Sequence, residues 1–219
     1  MIKGVIYDFD NLMVNSYPIH READKAVLEE YHVSYGDIPI ELSSRFVGKK
    51  ICEIYRNIID YFNLDADLNK ILSDREDVFL KLIEEKLEVM PGLVTSLEVF
   101  KNKGLRLALG TSGTRKYIDV GLKRIGLTSC FDEIITGDEV KKGKPDPEVF
   151  VRASYALGFT TELCLVLEDA ENGVKAAKDA GCYCIAIKHP MTPPQNLFDA
   201  DLILKSLEEI NNHIFDYLF

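Results

Sequence analysis

Short apolar runs of strand length recur along this chain, with helical patterns between the later ones. Strands are recognised as runs of about four to eight residues, and helices from apolar residues spaced three or four apart. Strands that alternate with helices predict a parallel sheet covered by helices on both faces. We therefore expect an α/β fold with a Rossmann-like parallel sheet. The six runs are Val5–Asp8, Leu105–Gly110, Glu133–Thr136, Leu163–Leu167, Cys182–Ile187 and Asp201–Leu204.

Proline and glycine positions indicate where the helices between these strands begin and end. Pro91 is expected to open one helix, and Asp146 with Pro147 to form the N-cap and first residue of another. Gly126 and Gly181 are expected to follow two further helices, because glycine readily adopts the left-handed conformation that ends a helix.

The first crossover is far longer than the others. More than ninety residues separate Asp10 from Leu105, whereas a single crossover needs about a dozen. Apolar residues within this stretch follow helical spacing over several segments. We therefore expect an all-helical domain of residues 16–86, inserted into a core domain formed by residues 1–15 and 87–219.

Charge and cysteine content narrow the class of protein. The formal net charge of −10 argues against nucleic acid or an anionic membrane as partner, because no basic face can dominate. The five cysteines are an odd, scattered set without CxxC spacing, which is typical of reduced thiols. The sequence shows neither a signal-peptide segment nor an apolar run of membrane-spanning length. We expect a cytoplasmic monomer.

Polar side chains follow four of the predicted strands. Ligands of open parallel sheets bind beyond the carboxyl ends of the strands, so we expect these side chains to lie close together. Carboxylates suit a hard divalent cation, and hydroxyl, lysine and backbone N–H groups suit a phosphoryl group. Phosphoryl transfer needs both kinds of group. The residues are Asp8, Asp10, Thr111, Ser112, Lys144, Glu168 and Asp169.

The pair of acids at the end of the first strand requires a physical explanation. Asp8 and Asp10 flank Phe9, and burying like charges side by side costs free energy unless a cation neutralises them. A metal ion would remove this cost. An ionised carboxylate can then act as a nucleophile, and a neighbour with a raised pKa can act as acid and then as base.

In their order along the chain, these motifs resemble the haloacid dehalogenase superfamily, and within it the capped phosphatases close to β-phosphoglucomutase. The resemblance covers essentially the whole chain, including the helical insert. It implies that Asp8 is the nucleophile that forms an aspartyl-phosphate, and that Asp10 protonates the leaving alkoxide and then activates water. It also implies Mg²⁺, held by the Asp8 carboxylate, the Asp10 backbone carbonyl and the Asp169 carboxylate.

The resemblance implies roles for the neighbouring groups as well. Thr111 and Lys144 would bind the phosphoryl oxygens, and Glu168 would support the outer shell of the metal. Ser16 and His20 stand where mutase-like members carry a hydroxyl group and a histidine at the entrance to the cap. Ser112 belongs to the hydroxyl-rich strand end that forms an anion site.

Two residues depart from the family pattern. Asn11 stands where the family nearly always has glycine, and Asn15 where aspartate is common. Asparagine tolerates a positive φ better than most residues, so the turn after Asp10 is expected to survive. The departures leave open a family member that binds phosphate without catalysis.

Other enzyme classes fit less well. Dehalogenases of the superfamily lack the second acid, because a halide leaving group needs no proton, and Asp10 argues against them. A P-loop kinase needs GxxxxGK[ST] and a dinucleotide enzyme needs GxGxxG after the first strand, and neither pattern is present there.

The nearest alternative is a phosphosugar mutase of the β-phosphoglucomutase type. Its cap normally offers an arginine just after a glycine, which binds the distal phosphate through two hydrogen bonds. Here Ile51 occupies that place, and Lys49 and Lys50 remain as less selective candidates for the substrate. We therefore predict a Mg²⁺-dependent phosphatase for a small phosphomonoester, a sugar phosphate.

Overall fold

The computed structural model describes residues 1–43 and 51–218, and within them every predicted apolar run contains a strand. The strands pair in parallel in one sheet, in the order β3-β2-β1-β4-β5-β6. The predicted α/β, Rossmann-like fold is confirmed. The strands are β1 Gly4–Tyr7, β2 Arg106–Gly110, β3 Glu133–Ile135, β4 Cys164–Glu168, β5 Tyr183–Ile187 and β6 Leu202–Leu204.

Helices fill the long insert and most connections between the strands. None of the helices in the described ranges is long and apolar enough to cross a membrane. The α-helices are α1 Tyr17–Glu30, α2 Ile40–Ser43, α3 Ile51–Phe62, α4 Leu68–Lys86, α5 Leu93–Asn102, α6 Arg115–Arg124, α7 Glu148–Ala156, α8 Glu171–Asp179 and α9 Phe215–Leu218. Single 3₁₀ turns lie at Tyr35–Asp37, Thr161–Leu163, Leu207–Glu209 and Asn212–Ile214.

The predicted helix ends at two glycines are confirmed by the backbone. Gly126 follows the C-cap of α6 with a φ of 72°, and Gly181 follows that of α8 with a φ of 83°. Both values lie in the left-handed region, which only glycine adopts without strain from a side chain.

Two helices begin one or two residues after the predicted position. Helix α7 begins at Glu148, and Pro147 precedes it as the N-cap residue. The Asp146 carboxylate accepts the Glu148 N–H at 3.1 Å, which satisfies one of the N–H groups that the first turn leaves without a partner. Helix α5 begins two residues after Pro91, because the intervening Gly92 has a left-handed φ of 84° that a helix cannot contain.

Strand β1 lies at the centre of the sheet, where the strand order reverses. The chain adds β2 and β3 on one side of β1 and then crosses to add β4, β5 and β6 on the other. Such a reversal opens a crevice at the carboxyl ends of the central strands. Tyr7 is in register with Leu109 of β2 and Leu167 of β4, so Asp8 and Glu168 follow at the same level.

The core beneath this edge of the sheet is apolar and is covered by helices. Strands β1, β2, β4 and β5 are almost entirely buried, and helices α7 and α8 pack against one face of the sheet. Cys164, Cys182 and Cys184 lie buried in this cluster as ordinary core residues. All five cysteines are unpaired.

The chain divides into two compact units. The first comprises Met1–Tyr17 and Leu87–Phe219 and contains the sheet, and the second is Pro18–Lys86. This second unit differs from the predicted insert of residues 16–86 by two residues at its start. Within the second unit, helices α1, α3 and α4 bury a shared apolar cluster that includes Val27, Tyr55 and Ile71, which stabilises the unit from within.

Candidate active site

Lys144 joins the ends of three strands. Its Nζ lies 2.5 Å from Asp8 Oδ1 after β1, 2.7 Å from Glu168 Oε1 at the end of β4, and 3.2 Å from the Gly110 carbonyl oxygen at the end of β2. The side chains of Lys144 and Asp8 are each 8% exposed. A lysine from the loop before α7 therefore reaches into the buried crevice beside the predicted nucleophile.

Three buried acids meet at the same place. Carboxylate oxygens of Asp8, Glu168 and Asp169 all lie within 4.8 Å of one another. Burial raises the pKa of Asp8; Lys144 opposes this effect, while Glu168 and Asp10 add to it. Burial, and then the charges of Glu168 and Asp8, raise the pKa of Asp169 well above its usual range. With all three acids ionised, the cluster would carry more negative charge than one lysine balances.

This cluster fits a divalent cation. Oxygen-only ligands at close quarters suit Mg²⁺, which commonly takes one or two carboxylates from a protein. A doubly charged ion would neutralise the acids that otherwise repel each other. The buried acidic cluster therefore fits a metal ion, and it includes two of the three predicted ligands, Asp8 and Asp169.

The surroundings of Glu168 favour a supporting role. Its Oε1 accepts a hydrogen bond from Lys144, and its Oε2 accepts the backbone N–H groups of Asp169 at 2.8 Å and Ala170 at 3.0 Å. Both oxygens are thus engaged within the protein. Gly173 is required here, because a Cβ at that position would lie 1.8 Å from Glu168 Oε1.

Asp10 is held by two hydroxyl groups. Ser16 Oγ donates to Asp10 Oδ1 at 2.6 Å, and the Tyr117 hydroxyl donates to the same oxygen at 2.7 Å. Ser16 is fully buried and belongs to the sheet unit, so the structure puts it next to Asp10 and not on the surface of the helical unit.

Sequence reasoning missed Tyr117. Tyr117 is the third residue of α6, the helix that follows Thr111 at the end of β2. Its place in the first turn after a predicted phosphate-binding strand end could have indicated that it lies near the site. However, its apolar ring also fits the core-facing pattern of the helix, and no local sequence feature distinguishes a core tyrosine from an active-site tyrosine.

The turn after Asp10 has the predicted conformation. Asn11 has a positive φ of 58°. Its Oδ1 accepts the Tyr17 N–H at 2.9 Å, so the side chain closes the turn. Asn15 contributes an amide oxygen that is buried without a hydrogen-bond partner among the described residues.

The two hydroxyl residues after β2 differ in exposure. Thr111 is buried, and its Oγ1 accepts the Gly113 N–H at 3.0 Å. That bond orients the hydroxyl group and leaves its hydrogen available as a donor. Ser112 is exposed. Thr111 is therefore the better oriented of the two predicted phosphate ligands.

The other predicted substrate residues belong to the helical insert. His20 Nδ1 lies 3.0 Å from Arg75 Nη2, and its ring stacks on Phe79 with centroids 4.3 Å apart. The sequence did not single out Arg75, which is buried. Lys49 and Lys50 lie outside the described residues.

Taken together, the sheet and the acid–lysine cluster at its carboxyl edge define a Rossmann-like α/β enzyme. Residues 5–187 match the model of the haloacid dehalogenase-like hydrolase family, and the chain belongs to this family.

Relatives and solved structures resemble the chain over nearly its full length. Phosphorylated carbohydrates phosphatase of Thermotoga maritima is 31% identical over 217 residues, covering 96% of this chain and 97% of that protein. Hexitol phosphatase A of Escherichia coli is 29% identical over 208 residues, covering 95% and 93%. The crystal structure of CbbY from Rhodobacter sphaeroides in complex with phosphate has a TM-score of 0.84 at 25% identity, covering 96% and 97%.

These findings confirm the resemblance drawn from the motifs. They also confirm the expected class of enzyme, a phosphoric monoester hydrolase of the haloacid dehalogenase type, since the curated relatives are named phosphatases.

Proposed function

We propose that this protein is a Mg²⁺-dependent phosphatase that hydrolyses a small phosphomonoester, a sugar phosphate, through an aspartyl-phosphate on Asp8. The observation that carries the proposal is the buried bridge from Lys144 to Asp8 and Glu168. It supplies a nucleophile and a cation for phosphoryl oxygens in one crevice. The sugar phosphate is proposed because two relatives are named for phosphorylated carbohydrates and hexitols.

The chemistry proceeds in two displacements. A carboxylate oxygen of Asp8 attacks phosphorus, and the bond from phosphorus to the ester oxygen breaks as Asp10 gives that oxygen a proton. Water then attacks the aspartyl-phosphate while Asp10 takes a proton from it, which releases phosphate and restores Asp8. Lys144, Thr111 and Ser112 bind the phosphoryl oxygens and stabilise their charge in both transition states.

The proposed metal ligands are the Asp8 carboxylate, the Asp10 backbone carbonyl and the Asp169 carboxylate, with Glu168 in support. When bound, Mg²⁺ neutralises charge on the acids and on the phosphoryl oxygens. We further propose that the helical unit is the cap domain of the family and that its residues, His20 among them, select the leaving group.

A phosphosugar mutase is the second candidate. The resemblance of the motifs to β-phosphoglucomutase motivates it, but Ile51, the first residue of α3, is apolar where a mutase offers arginine. An apolar side chain cannot bind a distal phosphate. This favours transfer of the phosphoryl group to water.

Phosphate release from a panel of sugar and nucleotide monophosphates and one aryl phosphate tests the proposal. We expect release with Mg²⁺, loss of release with EDTA, and no release by Asp8→Asn, because an amide cannot form the acyl phosphate. A mutase would isomerise a sugar phosphate when primed with its bisphosphate and release little phosphate. A non-catalytic protein would bind phosphate without turnover.

One control guards the Asp8→Asn result. Deamidation of the new asparagine would restore the parent enzyme, so mass spectrometry of the intact protein must show the amide. Near-normal turnover by a preparation free of aspartate at this position contradicts the nucleophile assignment.

A further inference from the structure

Tyr117 is positioned in the active-site crevice by neighbours that restrict its ring. The ring of Phe9, which lies between the two acids of the first strand end, packs edge to face against it with centroids 5.4 Å apart. On another side, a Cβ at Gly113 would lie 2.9 Å from Tyr117 Cδ1. Phe9 and the bare backbone of Gly113 thus determine where the Tyr117 hydroxyl lies.

That hydroxyl acts as a donor to Asp10. The Tyr117 O–H group donates to Asp10 Oδ1 at 2.7 Å. Ser16 donates to the same carboxylate oxygen. A carboxylate oxygen has two acceptor positions, and two hydroxyl donors at 2.6 and 2.7 Å occupy both on Oδ1.

We propose that Tyr117 is a positioning residue for the acid and base step: together with Ser16 it holds the Asp10 carboxyl group through Oδ1. The inference rests on the proposed phosphatase function. In the first displacement, the proton moves from the Asp10 carboxyl group to the ester oxygen as the bond from that oxygen to phosphorus breaks. In the second, the Asp10 carboxylate receives a proton from the attacking water.

The positioning role predicts a selective defect in Tyr117→Phe, which loses only the hydroxyl group. We expect kcat for an alkyl phosphate to fall about 10-fold, which corresponds to one lost hydrogen bond to a charged group, with KM changed less than about 2-fold. The first displacement on p-nitrophenyl phosphate should change by less than about 2-fold, because that leaving group departs without a proton.

Tyr7→Phe is the matched control. The Tyr7 hydroxyl is also buried in the sheet unit, and its partner at 3.1 Å is Ser96 Oγ and not an acid. Its loss tests the general effect of removing a buried tyrosine hydroxyl. We expect Tyr7→Phe to leave the ratio of alkyl to aryl activity as in the parent.

A double-mutant cycle completes the test. Because Tyr117 acts through Asp10, adding Tyr117→Phe to Asp10→Asn should cause no further loss on the alkyl phosphate. Ser16→Ala removes the other donor to Asp10 and should reproduce the selective loss on the alkyl phosphate. If Tyr117→Phe does not fold, the same comparison is made with Ser16→Ala.

The outcomes separate the two proposals. Equal losses in the first displacement on alkyl and aryl substrates, additivity with Asp10→Asn, or a Tyr117→Phe enzyme that behaves like Tyr7→Phe would overturn the positioning role while the phosphatase stands. A parent enzyme that releases no phosphate from any substrate overturns the phosphatase and, with it, the role of Tyr117.

Discussion

The ammonium group of Lys144 lies 2.5 Å from the carboxylate of Asp8, and both side chains are almost completely buried. The two residues are 136 positions apart in the sequence. A buried pair of this kind gains from mutual attraction but leaves an uncompensated charge when either partner is removed. Lys144 also contacts Glu168 at 2.7 Å, so its removal would leave two acids facing each other.

Replacing Lys144 with alanine should therefore reduce kcat/KM strongly. We expect a loss of about 2–4 kcal/mol of transition-state stabilisation, since a preorganised cation no longer meets the phosphoryl oxygens. The apparent affinity for Mg²⁺ should change as well, because Lys144 shares two acids with the metal site. Lys142→Ala is the matched control, as its side chain is 77% exposed. Equal kcat/KM values for the two variants would contradict the assignment.

Asp169→Ala should abolish the response to Mg²⁺. A ligand that binds only the folded protein raises the melting temperature, so Mg²⁺ should stabilise the parent and not this variant. Turnover should need far more Mg²⁺ or be lost, and Ca²⁺ should not restore it in the parent, because Ca²⁺ prefers more ligands at longer distances. The exposed acid Asp199 provides the control Asp199→Ala. Full parent activity in EDTA would show that no metal is needed.

Asp10→Asn should separate the two chemical steps. Hydrolysis of alkyl phosphates should slow severely, because a poor alkoxide leaving group needs a proton. An aryl phosphate should still transfer its phosphoryl group, and the aspartyl-phosphate should accumulate because water lacks its base. Pre-steady-state measurement should show a larger burst of aryl alcohol than in the parent. Equal losses on both substrates with no burst would assign the acid role to another residue.

Arg75→Met should destabilise the helical unit. Arg75 Nε lies 2.6 Å from Asp24 Oδ1, and the two side chains are 7% and 19% exposed. Removing one partner of a buried pair costs about 3–5 kcal/mol. Lys70→Met is the control, because the pair of Lys70 with Asp74 is on the surface and such pairs contribute about 0–1 kcal/mol. Urea unfolding followed by circular dichroism gives the free energy of unfolding of each variant. Similar values for Arg75→Met and Lys70→Met would contradict the prediction.

Much of the architecture was predictable from local sequence patterns. Strand-length apolar runs, helical spacing and glycines such as Gly126 report on nearby backbone, which short-range sterics govern. The positive φ of Asn11 was predictable for the same reason. The differences at Pro91 and Pro147 amount to one or two residues, because the exact start of a helix depends on local backbone angles, such as the left-handed φ of Gly92, that spacing does not reveal.

The candidate site was predictable only in part. Acids and lysine at strand ends were recognised because parallel sheets bring those ends to one edge. Tyr117 was missed, since a tyrosine on an amphipathic helix usually packs in a core. Arg75 was missed in the same way, because a charged residue on a helix is normally read as exposed.

By itself, the sequence determined the alternation of strands and helices, the long helical insert and the kinds of polar group at the strand ends. Only the tertiary structure decided which of those groups touch. Lys144 meets Asp8, and Tyr117 meets Asp10 across 107 positions, because the strand order brings β2 and β4 to either side of β1. Register and strand order depend on packing of the whole sheet, and no local pattern of residues encodes them.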